Sequence, residues 1–144
     1  MQSTSRNQWT GKVIHVLMGA ITAEIEIALD AGPSIIAAIT VDSAKALGLE
    51  SGREVLAMVK APMIMLAIDF EGYAVSARNQ MNGVIVAIKE SPVSADVTLD
   101  LETGGSVTAS LTEASCLRLG LSIGQAATAL FNPESVILAA KKSS

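Results

Sequence analysis

Aromatic residues are nearly missing: one Trp, one Tyr and two Phe make up 3% of 144 residues. Binding single-stranded nucleic acid needs ring faces beside a basic groove. Only Trp9, Phe70, Tyr73 and Phe131 are available and no basic block accompanies them, so no nucleic-acid partner is expected. A single cysteine, Cys116, excludes a disulfide framework, and with a single histidine, His15, it excludes an ordinary zinc site. Charge is sparse, at 17% of residues with a net charge of −4. The opening "MQSTSRNQWTG" has no apolar core of the kind a secretory signal carries. The longest apolar stretch, "VLAMVKAPMIMLAI", is broken by Lys60 and Pro62 and falls short of the ~20 residues that span a bilayer. The expectation is a cytoplasmic protein with no membrane partner.

What is present is aliphatic and repeated. Half the residues are hydrophobic, too many for disorder. Sliding the chain by 72 positions aligns it with itself without a gap from Arg6/Arg78 to Ala67/Ala139. Arg6-Asn7-Gln8 falls on Arg78-Asn79-Gln80, Gly11 on Gly83, Thr40 and Ser43 on Thr112 and Ser115, and Leu47-Gly48-Leu49 on Leu119-Gly120-Leu121. The chain therefore reads as two modules, residues 1–68 and 76–144, joined by a linker at 69–75.

Each module reads as strands. Ile25, Ile27 and Leu29 alternate with Glu24, Glu26 and Ala28, and Val97, Leu99 and Leu101 do the same against Asp96, Thr98 and Asp100, which is the period of a half-buried strand. "DAGPS" and "ETGGS" supply turns. A short helix follows the third strand, with Thr40 or Asp42 at its N-terminus and Gly48 as the left-handed residue that stops it. "GKVIHVLM", "SGREVLAMVK" and "PMIMLAI" provide the first, fourth and fifth strands of the first module. Five strands with a helix between the third and fourth suit a small OB-like barrel. The expected fold is all-β, two such barrels in tandem.

No residue set has the spacing of a catalyst. "GLSIG" at 120–124 matches the letters of a nucleophile elbow, but the elbow runs from strand to helix, and here the helix precedes. The twin of Ser122 is Glu50, and that of His15 is Ala87. His15 has no evident orienting partner or nucleophile, and Cys116, opposite Ala44, fits a small buried hydrophobe. A non-enzyme without cofactor or free metal cation is expected.

The polar residues kept in both copies are mostly donors. Arg6 and Arg78 bring permanent charge and a fork of N–H groups. Thr40, Ser43, Thr112 and Ser115 stand at helix entrances, where backbone N–H groups lack partners. Thr4 and Ser5, or Ser76 and Ala77, flank each Arg, and Lys60 follows the fourth strand. A fully deprotonated oxyanion asks for such a set. On spacing alone a second reading accounts for it equally: Thr40 caps the helix, Arg6 pairs with an acid such as Glu71, and Asn7-Gln8 hold a turn.

"SRNQWTG" and "SARNQMNG", followed by "GAITAEIEI", "AAITVDSAKALGLESGREVLAMVKAP" and "VILAA", resemble the Mop, or TOBE-type, molybdate-binding module over nearly the whole chain. Two modules resemble the di-Mop molbindins. The resemblance implies binding, storage or buffering of molybdate, with tungstate also accepted, in a homotrimer that holds anions between neighbouring subunits. The ligands it implies are Thr4, Ser5, Arg6, Thr40, Ser43, Lys60 and Ala61 in the first half, and Ser76, Ala77, Arg78, Thr112 and Ser115 in the second. For a further class of site near a three-fold axis the weaker candidates are Gly19, Ala20, Ile21 and Thr22, with Ser91, Pro92, Val93 and Ser94. The second half departs from the pattern, with Asn132-Pro133-Glu134 where the first has Lys60-Ala61-Pro62. Asn132 is accordingly a weaker candidate. The alternative function is an oxyanion-sensing module that signals to a protein partner.

Overall fold

Alternation governs the first strand of each half. The computed structural model describes residues 1, 3–69 and 72–142. In β1 (Asn7–Met18), Asn7, Trp9, Gly11 and Val13 face inward while the residues between them face outward. The same phase holds in its twin β6 (Asn79–Glu90). Both strands start at the Asn of the Arg-Asn-Gln motif, earlier than the glycine where the sequence suggests the strand begins. Each carries a bulge at the matching place, between Val13 and His15 and between Ile85 and Ala87. A bulge adds local twist and lets a strand curl.

The first half continues with β2 (Thr22–Leu29), β3 (Ser34–Thr40), α1 (Val41–Ala46), β4 (Glu54–Val59), a 3-10 turn at Ala61–Met63 and β5 (Met65–Ala67). The second repeats the order with β7 (Ser94–Leu101), β8 (Ser106–Thr112), α2 (Glu113–Leu119), β9 (Ala126–Phe131), a 3-10 turn at Pro133–Ser135 and β10 (Ile137–Ala139). Thr40 and Thr112 are the N-caps, their hydroxyls accepting from the backbone N–H of Ser43 and Ser115. Gly48 and Gly120 follow the helices with φ of 64° and 63°, as the sequence suggests.

The two antiparallel five-stranded sheets expected from the sequence are present, curled into OB-like half-barrels. Their fifth strands are in a different place. The sheets run β10-β4-β1-β2-β3 and β5-β9-β6-β7-β8, so each half is completed by the last strand of the other. Ile137, Leu138 and Ala139 lie opposite Met58, Ala57 and Leu56. Met65, Leu66 and Ala67 lie opposite Leu130, Ala129 and Thr128. The repeat in the sequence therefore does not divide the sheets.

The core is correspondingly shared. One continuous apolar cluster runs from Val13, Ile25, Ile27 and Ile35 of the first half to Ile85, Val97, Leu99 and Val107 of the second. Trp9 stacks on Phe131 across the junction with ring centroids 6.0 Å apart, and its indole N–H donates to the Ser106 carbonyl at 2.9 Å. Thin single modules gain a common interior in this way.

Candidate functional site

The Arg-Asn-Gln motif has three separate tasks. Asn7 and Asn79 are buried, and each amide spans the junction. Asn7 Nδ2 donates to the Thr108 carbonyl and its Oδ1 accepts from the Thr108 N–H, both at 2.8 Å. Asn79 does the same with Ile36, again at 2.8 Å for both bonds. A side chain here substitutes for a strand neighbour. Gln8 and Gln80 shape the turn, their Nε2 groups donating to the Ser5 carbonyl at 2.8 Å and the Ala77 carbonyl at 3.1 Å. The turn role expected of Asn-Gln thus belongs to Gln alone, because Asn is used between the halves.

The arginines also cross the junction. Arg6 Nη1 is paired with Asp96 Oδ2 on β7, and Arg78 Nη1 with Glu24 Oε2 on β2 at 2.5 Å. Asp96 is an acid beside Arg6; the Glu71 suggested by the sequence lies outside the described residues. Glu24 pushes the Arg78 guanidinium up in pKa by hydrogen bond and then by charge, with Glu26 adding to it. Both pairs are half-exposed, and such pairs add little to stability.

Thr4, Ser5, Arg6, Lys60 and Ala61 line one groove of about 320 Å³, together with Ser3, Met58, Pro62 and Ile137. Ile137 belongs to the exchanged strand β10, so the second half supplies part of the wall. Lys60 leads into the first 3-10 turn and is exposed, with no ion-pair partner among the described residues. The Ser5 hydroxyl donates to the carbonyls of Asn7 (3.0 Å) and Val59 (3.1 Å), which commits its proton to the backbone.

Thr40 and Ser43 do not line this groove. Instead, the Ala61–Met63 turn packs against β8, and the Pro133–Ser135 turn against β3. Asp96, which holds Arg6, lies opposite Ser110, and two ladder positions on Ser94 lies opposite Thr112, roughly 7 Å along the strand. The turn after Lys60 therefore lies on the side of β8, the strand that ends at Thr112, although neither Thr112 nor Ser115 lines the groove. In the twin arrangement Arg78 reaches β2, and the turn after Asn132 lies on the side of β3, the strand that ends at Thr40. Each Arg thus reaches over the other half's sheet.

At the helix entries, the Thr40 hydroxyl donates to Ser43 Oγ and the Thr112 hydroxyl to Ser115 Oγ, both at 2.8 Å. Thr40 and Thr112 are therefore capped into the helix, and the free hydroxyl protons are those of Ser43 and Ser115. The weaker candidates adjoin them. Gly19–Thr22 and Ser91–Ser94 are hairpin turns closed by Gly19 N–H to Thr22 O at 3.0 Å and Ser91 N–H to Ser94 O at 2.8 Å. Val41 and Glu113 donate backbone N–H groups to Ile21 and Val93. Glu113, in the first turn of α2, has a buried Oε2 without a hydrogen-bond partner among the described residues. Burial first, and the Glu90 carboxylate second, push its carboxyl above the usual range.

A larger groove of about 490 Å³ lies at the other end of α1, lined by Lys45, Glu50, Arg53, Lys141 and Lys142 among others. None of the residues implied by the resemblance lines it. Its lysines are long and surface-borne, so volume alone does not make it the better site. The sequence reading missed it because its cations are far apart in the chain.

The groups weighed as catalytic are elsewhere. His15 is exposed at the bulge of β1. Ser122 sits in the turn between α2 and β9, with its N–H bonded to Gln125 Oε1 at 3.2 Å. Cys116 is buried, and burial, then Glu113 and Glu90, push its thiol up. Among the described residues no group of three or more His, Cys, Asp or Glu could hold a metal ion, and no helix is long and apolar enough to cross a membrane.

A TOBE domain model matches residues 3–66 and 75–138. The chain is 42% identical over 139 residues to the molybdenum-pterin-binding protein MopA of Rhodobacter capsulatus, covering 96% of this chain and 52% of that one. It is 44% identical over 139 residues to the molybdenum transport protein ModE of Azotobacter vinelandii, covering 96% and 51%. The chain thus spans about half the length of these curated relatives. The fold superimposes with a TM-score of 0.94 on the cytoplasmic molybdate-binding protein ModG in a crystal form with molybdate bound, at 38% identity, covering 98% of this chain and all of that one.

Proposed function

Because the chain belongs to the TOBE domain family, with two copies in tandem, we propose that it binds molybdate, accepts tungstate, and serves as a non-catalytic cytoplasmic store or buffer of the oxyanion. The observation that carries this reading is the groove where Arg6, Lys60, Thr4 and Ser5 converge. Two cations and backbone N–H groups are what a dianion requires, since charge-assisted hydrogen bonds are about twice as strong as neutral ones. The chain's net charge of −4 gathers no anions by its overall field. Selectivity then rests on local, preorganised donors. Phosphate at neutral pH carries a proton that seeks an acceptor, and the carboxylate beside Arg6, that of Asp96, is already engaged by it. Sulfate has shorter bonds and fits a molybdate-sized pocket loosely.

A homotrimer belongs to the same proposal. The hairpin tips of both halves expose a large apolar residue, Ile21 at 78% and Val93 at 79%, and Leu117 in α2 and Ile123 just after it are exposed as well. Such surface favours self-association. Calorimetry tests the ligand: molybdate and tungstate bind, sulfate far more weakly, and phosphate does not compete. Equal competition by phosphate would sink the reading. Light scattering is expected to give three times the chain mass.

The second reading, a sensing module that signals to a protein partner, draws support from the relative described as a transcriptional regulator in Escherichia coli, 34% identical over 142 residues. Pull-down with and without molybdate separates the two, since a buffer needs no stable partner.

A further inference from the structure

Four of the chain's ten lysines and arginines meet at one place, the groove of about 490 Å³ at the far end of α1. Lys45 comes from α1, Arg53 from just before β4, and Lys141 and Lys142 from the segment after β10. Glu50 is the one carboxylate among the described lining residues. None of the four cations has an ion-pair partner among the described residues, whereas Arg6 and Arg78 are both paired. The groove is also framed. Arg53 is half-buried, and its Nη2 donates to the Lys141 carbonyl at 2.5 Å, which ties the segment after the exchanged strand to the first half. One edge of the guanidinium is held in this way, and its other N–H groups stay free to donate. Gly48 has φ of 64° and no atom within 4 Å of where a Cβ would stand, so the space beside it is open.

The internal repeat supplies the comparison. The twins of Lys45, Glu50, Arg53 and Lys141 are Leu117, Ser122, Gln125 and Asp69. Helix, turn and following strand recur in both halves, so the fold itself has no need of cations there. A basic residue in the last turn suits a helix of either half, as Lys45 does in α1 and Arg118 in α2. That accounts for Lys45 and leaves Arg53, Lys141 and Lys142 unexplained.

We propose that this groove is a second anion site, separate from the Arg6–Lys60 groove, and that it takes an anion bearing two linked phosphate groups. A lone tetrahedral dianion would sit loosely in such a volume, which is of the size that holds a small organic molecule. A terminal phosphate brings about −1.5 to −2 charges near neutral pH, and a linked one adds to it, which matches four cations against one carboxylate. The Arg53 fork suits one phosphate and the lysines, as point charges, the other. Leu47 and Ala140 give an organic body a small apolar floor. The two grooves have no lining residue in common, so both can be filled at once.

Calorimetry of the full chain in excess molybdate tests this, with inorganic diphosphate and ADP as probes and inorganic phosphate as the single-group control. Both probes are expected to bind, phosphate far more weakly, and added salt should weaken all of it. Tighter binding of ADP assigns the site to an organic diphosphate; equal affinities assign it to the linked phosphates alone. A Lys45→Leu, Arg53→Gln variant carries the twin residues, which the same backbone accommodates in the second half. It should lose diphosphate affinity by about tenfold or more, the scale of one or two charge-assisted hydrogen bonds, and keep its molybdate affinity. The inference is overturned if neither probe binds, if phosphate binds as well as diphosphate, or if the variant binds diphosphate like the wild type. None of these outcomes touches the oxyanion reading, which a chain that takes up no molybdate would overturn by itself.

Discussion

A single residue shows how the two copies have drifted apart at the helix entries. Glu113 opens α2 where its twin Val41 opens α1, and it puts a half-buried carboxyl beside Glu90. Its folded-state pKa lies above the ordinary 4.5, so the folded chain holds the proton more tightly than the unfolded chain does. The stability this contributes is fully present below pH 4.5 and is lost as pH rises through the raised value. Glu113→Gln keeps the shape and has no charge to lose. Its melting temperature should match the wild type near pH 4 and exceed it at pH 8. Curves that stay parallel across that range would mean that Glu113 is solvated in both states. Substitution at Glu90 should reproduce part of the gain, since that carboxylate is the second cause of the shift.

At the scale of strands, Gly11 and Gly83 recur in both copies for a steric reason. A Cβ at Gly83 would stand 2.2 Å from the Asp100 carbonyl oxygen, and one at Gly11 would stand 2.6 Å from that of Ala28. The clash is with backbone, which cannot rotate away, so Gly83→Ala should cost about 2–4 kcal/mol. A urea midpoint that barely moves would show that β6 and β7 can part without loss. These glycines, the alternation of Ile25, Ile27 and Leu29, and the capping by Thr40 and Thr112 are local matters, and the sequence displays them. The exchange of β5 and β10 is not local. Met65-Leu66-Ala67 and Ile137-Leu138-Ala139 are similar enough for either to lie along β4 or β9, and the path of the chain between the halves decides. The site is partly hidden for the same reason. Arg6, Lys60 and the hydroxyls can be picked out as donors, but Asp96 is 90 residues from Arg6, and nothing in the spacing joins the two.

For the whole molecule, shared core and exchanged strands make one cooperative unit. Chemical unfolding should give a single transition, with fluorescence of Trp9 in the first half and circular dichroism of both halves coinciding. The slope against denaturant should be that of about 140 residues rather than 70. Two separated steps would show that the halves melt independently despite the junction. The exchange also bears on how such a protein can change over generations. A duplicated segment is ordinarily redundant, and one copy is free to decay while the other carries on. Here a truncation that removes β10 strips β4 of one of its two neighbours in the first copy, so damage to one copy is read out as instability of the other. Divergence in charge is easiest where a side chain faces away from the shared core, and Lys60 against Asn132, or Glu26 against Thr98, are such positions. Two copies that must remain partners in folding can still become strangers in what they hold.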